Sequence, residues 1–230
     1  MRTFSVVFFA LFLFTACNPS SKKAYVVEGF ATDSAFIFYY NNNPVYIVDY
    51  CTEKYIDSAM FVDGKFKFNG LVDSAKICRI DIGGVGYDFI LEGGNIKISL
   101  LNLYSVDGTT LNNGLSVYIL GLNAINSGWQ NDYMDIRMKT DLTMDKEEQG
   151  RLLEKKYNLY QDKFEVFTDS IFTTNNNNIL GAYVLWKWAT RLSPEKFDSL
   201  YNSAGNIVQS NILVQRAFNG EKFKQKSRLK

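Results

Sequence analysis

The sequence predicts an α+β protein, an N-terminal antiparallel β-sandwich followed by a segregated helical unit of about five helices. Three observations lead there. Apolar residues recur at a period of two from Ala24 to Leu103, turn residues interrupt that stretch at short intervals, and the period changes to three and four after Thr109.

The strands are expected at Tyr25–Thr32, Ala35–Tyr40, Val45–Tyr50, Tyr55–Val62, Lys65–Asn69, Lys76–Ile82, Tyr87–Glu92 and Ile96–Leu101. Asn41-Asn42-Asn43-Pro44, Gly70, Gly83-Gly84 and Gly93-Gly94-Asn95 separate them. The clearest signal is Asp57–Gly70, read as a β-hairpin in which Asp63-Gly64 supplies the positive φ angles of a type I′ turn. In that register Phe61 faces Phe66 and Ala59 faces Phe68, on a buried side opposite Lys65 and Lys67. Gly83-Gly84-Val85-Gly86 is a hairpin loop: Phe89 stands where a nucleotide fingerprint needs its last glycine, and no helix follows.

The first helix opens at Leu111-Asn112-Asn113, carries Leu115, Tyr118, Ile119, Leu122 and Ile125, and ends near Ser127-Gly128. A longer one starts after Thr143 with Asp145, Glu147 and Glu148 in its first turn, where the macrodipole favours acids. Its stripe of Leu153, Tyr157, Tyr160, Phe164, Phe167 and Ile171 reads as a core face. Ile179–Leu192 makes a third helix, Ser193-Pro194 caps a fourth that ends before Gly205, and Ile207–Phe218 is the fifth. Trp186 and Trp188 lie two apart and cannot share a face, so one is expected at the seam between the units. The resulting organisation is a signal segment at 1–17, a tether at 18–24, the sandwich at 25–105, the helical unit at 106–220 and a frayed basic tail at 221–230.

Composition removes whole classes of function. The chain of 230 residues has 25 Lys and Arg against 24 Asp and Glu, a net charge of +1, which gives no field for nucleic acid. It has no histidine, so Ser-His-Asp and Cys-His nucleophiles, histidine bases and histidine metal ligands are excluded. There is no GxSxG and no phosphate loop. Among the carboxylates Asp57, Asp63, Asp81, Asp88 and Glu92, Asp63 is explained by its turn and no pairing is signalled. No catalytic, metal or cofactor residue is expected.

Residues 1–17 have one basic residue, Arg2, then an apolar run from Phe4 to Phe14 and Thr15-Ala16 before Cys17. This is an export signal, and the position of Cys17 resembles a bacterial lipoprotein cleavage site, which implies acylation of its thiol and a membrane anchor. No acidic run follows in Asn18–Lys23, so the periplasmic side is expected. Cys51 and Cys78 then remain, either as two buried free thiols or as a disulfide permitted in an oxidising compartment. There is no CxxC.

Asp57-Ser58, Asp63-Gly64-Lys65-Phe66, Phe68-Asn69-Gly70, Leu91-Glu92-Gly93, Gly108-Thr109 and Leu111-Asn112 together resemble the domain-of-unknown-function family 4369. The resemblance implies a β domain of bacterial envelope lipoproteins, usually ahead of a helical stretch and a thioredoxin-like domain. That last domain is expected to be absent here, and no family catalytic residue maps onto this chain. The leading expectation is therefore a non-enzymatic, lipid-anchored envelope protein acting as an interaction or sensing module. The second is an accessory or truncated form of an envelope thiol-disulfide oxidoreductase, and a third is a small-molecule cleft near Trp186 or Trp188.

Overall fold

The computed structural model describes residues 22–100, 104–143 and 145–220. The signal segment, most of the tether and the basic tail lie outside the described residues. The two four-stranded sheets are ordered β4-β1-β7-β8 and β3-β2-β5-β6. Their strands are β1 (Lys23–Phe30), β2 (Pro44–Asp49), β3 (Tyr55–Met60), β4 (Lys65–Val72), β5 (Lys76–Ile82), β6 (Val85–Leu91), β7 (Gly94–Ser99) and β8 (Ser105–Asp107). Helix α1 (Ser34–Tyr40) interrupts them, and α2 (Thr110–Thr143), α3 (Lys146–Asn175), α4 (Ile179–Trp188), α5 (Pro194–Ser203), α6 (Asn206–Gln209) and α7 (Ile212–Phe218) follow.

The expected α+β order holds, with the sheets mostly antiparallel. The exception is β1, which runs parallel to β7 from Tyr25↔Gly94 to Phe30↔Ser99, because the chain returns to the first sheet only after completing the second. Between the sheets lie Val27, Phe66, Phe68, Ile96 and Ile98 from one side and Val45, Ile47, Ile80, Ile82 and Phe89 from the other, all buried. The second sheet is also covered outside. Ile77 and Ile90, cross-strand partners with no exposure, share one buried cluster with Leu115, Leu180, Tyr183 and Val184 of the helices. That is why β6 ends in three consecutive buried residues instead of an alternation.

The Asp63-Gly64 turn forms as expected, with φ of 49° and 77° and a Val62↔Lys65 bridge. The hairpin beyond it does not: β3 and β4 belong to different sheets, and Phe61 and Ala59 do not pair with Phe66 and Phe68. Each strand has a longer alternative. β4 pairs with β1 over eight residues and β3 with β2, while the Phe61 backbone bonds Asn42 and Asn43. The turn is thus the corner of the sandwich, and Phe61, Phe66 and Phe68 are buried between the sheets.

Ala35–Tyr40, expected as a strand, is helix α1. Asp33 caps it by accepting from Phe36 N at 2.7 Å, and the four-residue spacing of Phe36 and Tyr40 brings their rings to 4.6 Å over Phe61. The first long helix continues through Gly128 to Thr143, because α3 packs along it: the Phe167 ring comes within 2.2 Å of where a Gly121 Cβ would stand. Asp145 is the cap of α3 instead of a first-turn residue. The last helix breaks at Ser210-Asn211, where Asn211 caps a new start at Leu213 N, so six helices follow the sheets among the described residues. The expected stripe on α3 buries Tyr160 and Phe164, half-buries Leu153, Phe167 and Ile171, and leaves Tyr157 47% exposed.

At Gly64 an added Cβ would lie 2.9 Å from the Ala31 carbonyl oxygen and 3.0 Å from Ile37 Cδ1, at a φ that β-branched residues avoid. Gly64→Val is expected to cost about 2 kcal/mol and lower the melting temperature by roughly 4–8 °C. A calorimetric scan with an unchanged midpoint would contradict the corner.

Candidate functional site

The densest polar cluster sits where α4 meets the outer face of the second sheet. On β6, Asp88 stands opposite Arg79, and the end of the β2–β5 ladder, Tyr50 N to Ile77 O at 3.0 Å, puts Tyr50 beside them. Helix α4 starts cleanly because Asn178 accepts from Leu180 N and Gly181 N at 2.9 and 3.1 Å. It presents Tyr183, Trp186 and Lys187 to the sheet. Both Asp88 oxygens are occupied: Tyr50 donates to Oδ1, and Tyr183 (2.8 Å) and Lys187 Nζ (2.7 Å) meet Oδ2. Lys187 also lies 4.6 to 5.4 Å from the ring centroids of Tyr50, Tyr183 and Trp186. The Tyr50 and Trp186 rings are 5.0 Å apart. Trp186 is therefore the seam tryptophan, and Trp188 is the interior one at 1% exposure.

Burial raises the Tyr50, Tyr104 and Tyr183 hydroxyls above the ordinary phenol range, and the Asp88 charge adds to it. Burial also pushes Tyr118 up to about 12. With its carboxylate saturated by donors and its tyrosines held protonated, this cluster is built as a clamp between the two units.

Beside the clamp, a cavity of about 240 Å³ is lined by Tyr118, Asn123, Asn126, Phe164, Lys187 and Arg191. Past Arg191 and Asn126 a groove of about 530 Å³ continues along the helices, lined by Trp129, Gln130, Tyr157, Tyr160, Gln161 and Thr190. The Trp129 ring meets Tyr157 edge-on at 5.5 Å and lies tilted 5.9 Å from Tyr160, whose hydroxyl donates to Asn126 Oδ1 at 2.6 Å. The Arg191 guanidinium lies 4.5 Å from the Phe164 ring centroid.

The other candidate carboxylates are dispersed. Asp57 accepts from the Tyr25 hydroxyl at 3.4 Å, Asp81 meets Arg79 at 3.5 Å and Gly84 N at 3.1 Å, and Glu92 accepts from Leu111 N at 3.2 Å at the start of α2. Cys51 and Cys78 are free thiols, the first half-buried just past β2 and the second fully buried opposite Asp49. Burial raises both thiols, and the negative charge of Asp49 adds to it. No group of three His, Cys, Asp or Glu side chains converges among the described residues, and none of their helices is long and apolar enough to cross a membrane. Of the clamp, only Asp88 stands out in the sequence as a candidate. A legible signal for its partner is Trp186-Lys187-Trp188, since Lys187 is the sole charge in α4.

Each raised phenol stabilises the fold fully below the ordinary phenol pKa of 10.0, and that contribution falls as pH rises through the native value, about 12 for Tyr118. Alkaline titration followed by phenolate absorbance is expected to give an exposed-tyrosine step near pH 10, then a later step that coincides with loss of helical circular dichroism. All tyrosines ionising together with the helices intact would contradict the clamp.

No curated protein and no solved structure matched the chain in comparisons with known proteins. A family model did: residues 25–115, which run from β1 through the sheets into the first turns of α2, match the domain of unknown function DUF4369.

Proposed function

We propose that this protein is a non-enzymatic, lipid-anchored component of the cell envelope, in which the sandwich supports a helical interaction module. The observation that carries the reading is the groove between α2, α3 and the end of α4, where Trp129, Tyr157, Tyr160 and Arg191 converge with amide side chains. Tryptophan, tyrosine and arginine are the residue types that dominate the energetics of protein interfaces, because they bury large rigid surfaces while keeping a polar handle. The clamp beside it leaves no carboxylate oxygen of Asp88 free to act as a base, which favours binding over turnover. The occupant of the groove is an envelope protein. An accessory role beside a thiol-disulfide oxidoreductase is the second reading, motivated by the resemblance drawn from the sequence motifs, and it makes that occupant a CxxC protein.

A photo-crosslinking residue at Gln130 or Gln161 in cells is expected to capture a protein partner, whereas one at the exposed Thr173 captures none. Trp129→Ala and Arg191→Ala should each reduce the yield at least about tenfold. Mass spectrometry of the adduct distinguishes the two readings, and capture at Thr173 equal to that at Gln130 would remove the groove as the binding site.

The anchor rests on Cys17, acylated after removal of residues 1–16. Several acyl chains at about 0.8 kcal/mol per buried methylene hold a protein on a bilayer durably. Cys17→Ser is expected to abolish labelling by a palmitate analogue and to shift the protein from the membrane to the soluble fraction. Persisting label in that variant would rule out acylation at this position.

A further inference from the structure

Where the cavity of about 240 Å³ meets the aromatic groove, the wall is rich in hydrogen-bond donors and holds no acid. Neither space is lined by an Asp or a Glu, and Arg191 and Asn126 line both, so they stand at the junction. The Arg191 guanidinium lies over the buried Phe164 ring, 4.5 Å from its centroid. That contact orders the group without using any of its five N–H donors. No carboxylate meets those donors among the described residues. Lys187 differs, since its charge is met by Asp88 Oδ2 at 2.7 Å. Asn126 Oδ1 accepts from the Tyr160 hydroxyl, which leaves its amide nitrogen to donate elsewhere. The Arg191 charge also reaches the Tyr118 hydroxyl on the buried side of the cavity, where it opposes the upward push of burial.

This junction has a chemical complement. The planar fork of a guanidinium matches the two oxygens of a carboxylate. A single unbalanced positive charge also matches one negative charge better than the nearly two of a phosphate monoester at pH 7. We propose that Arg191 binds the side-chain carboxylate of an Asp or Glu in the protein segment that occupies the groove, with the Asn126 amide donating to the same group. Apolar residues flanking that acid lie against Trp129 and Tyr157. The source is a peptide because the groove runs on past the charge for about 530 Å³, where Gln130 and Gln161 offer amides to an extended backbone. A small free acid would use the cavity and leave those amides unmet. The assignment rests on the groove being the interaction site proposed above and adds to it the charge of what binds.

The probes are the peptide N-acetyl-Phe-Glu-Phe amide and its Gln counterpart, titrated into the purified full chain in a mild detergent. Two resonances are followed: the Trp129 indole N–H reads the groove, and the Arg191 Nε–H reads the carboxylate. The Glu peptide is expected to shift both and to saturate at about millimolar concentration, with the Gln peptide at least about tenfold weaker. Arg191→Gln should bring the two peptides to equal affinity by the indole signal. Arg191→Lys, which keeps the charge and loses the fork, should still favour the Glu peptide, but by less. Equal indole shifts from both peptides with Arg191 unmoved would overturn the carboxylate assignment and leave the groove standing. No shift of either resonance by either peptide would also overturn it, and photo-crosslinking at Gln130 then judges the groove separately. Phenylacetate binding as tightly as the Glu peptide would make the occupant a small organic acid and overturn the peptide as the source.

Discussion

The free edge of β6 is the constraint on which the arrangement of this molecule turns. β6 closes the order β3-β2-β5-β6, so its outer backbone groups have no strand to meet. At Ile90, buried on every side, the main chain is satisfied by a side chain instead. Asn112, itself fully buried, accepts from Ile90 N at 2.9 Å and donates to Ile90 O at 2.8 Å, as a strand would. A buried backbone group left unpaired costs about 1–3 kcal/mol, and this one amide satisfies two. Because Asn112 lies in the first turn of α2, pairing the sheet edge also sets where the longest helix begins. Glu92 and Asn113 reinforce that start by accepting from Leu111 N and Gly108 N at 3.2 and 3.0 Å.

The rest of the helical unit follows from that placement. Once α2 is fixed, α3 packs back along it with Phe167 against Gly121, and α4 is brought down onto Ile77 and Ile90. The Asp88 clamp then ties α4 to the same strand two residues from Ile90. β6 therefore serves the core with Phe89 and Leu91 and the helices with Asp88 and Ile90, and a single buried cluster runs through both units. The aromatic groove lies at the far side of α4, where Arg191, just past the helix, meets Trp129 and Tyr160 of the α2–α3 hairpin. Its geometry depends on the Asp88 clamp, which fixes α4 against β6.

How much of this was legible depended on how local the cause was. The α+β order, the strands from Lys76 to Leu91 and the Asp63-Gly64 and Gly83-Gly84 turns follow from periodicity and from positive φ, both local properties. α1 is not legible as a helix because Phe36, Ile37, Phe38, Tyr39 and Tyr40 have the composition of a strand, although Asp33 supplies a helix cap. Asp88 was visible as a carboxylate, but its engagement by Tyr50, Tyr183 and Lys187 joins it to residues up to 99 positions away.

The sequence by itself determined the two kinds of secondary structure, their order, the tight turns and the exclusion of histidine chemistry, since each rests on residue type and short spacing. Tertiary structure decided that Asp63-Gly64 is a corner instead of a hairpin, that β1 runs parallel to β7, and that α2 passes through Gly128. In each case a local preference was outweighed by a partner distant in the chain: eight residues of β1 for β4, a returning strand for β7, and the face of α3 for α2. Pairing and burial against such partners bring more free energy than a two-residue turn or a single glycine can oppose.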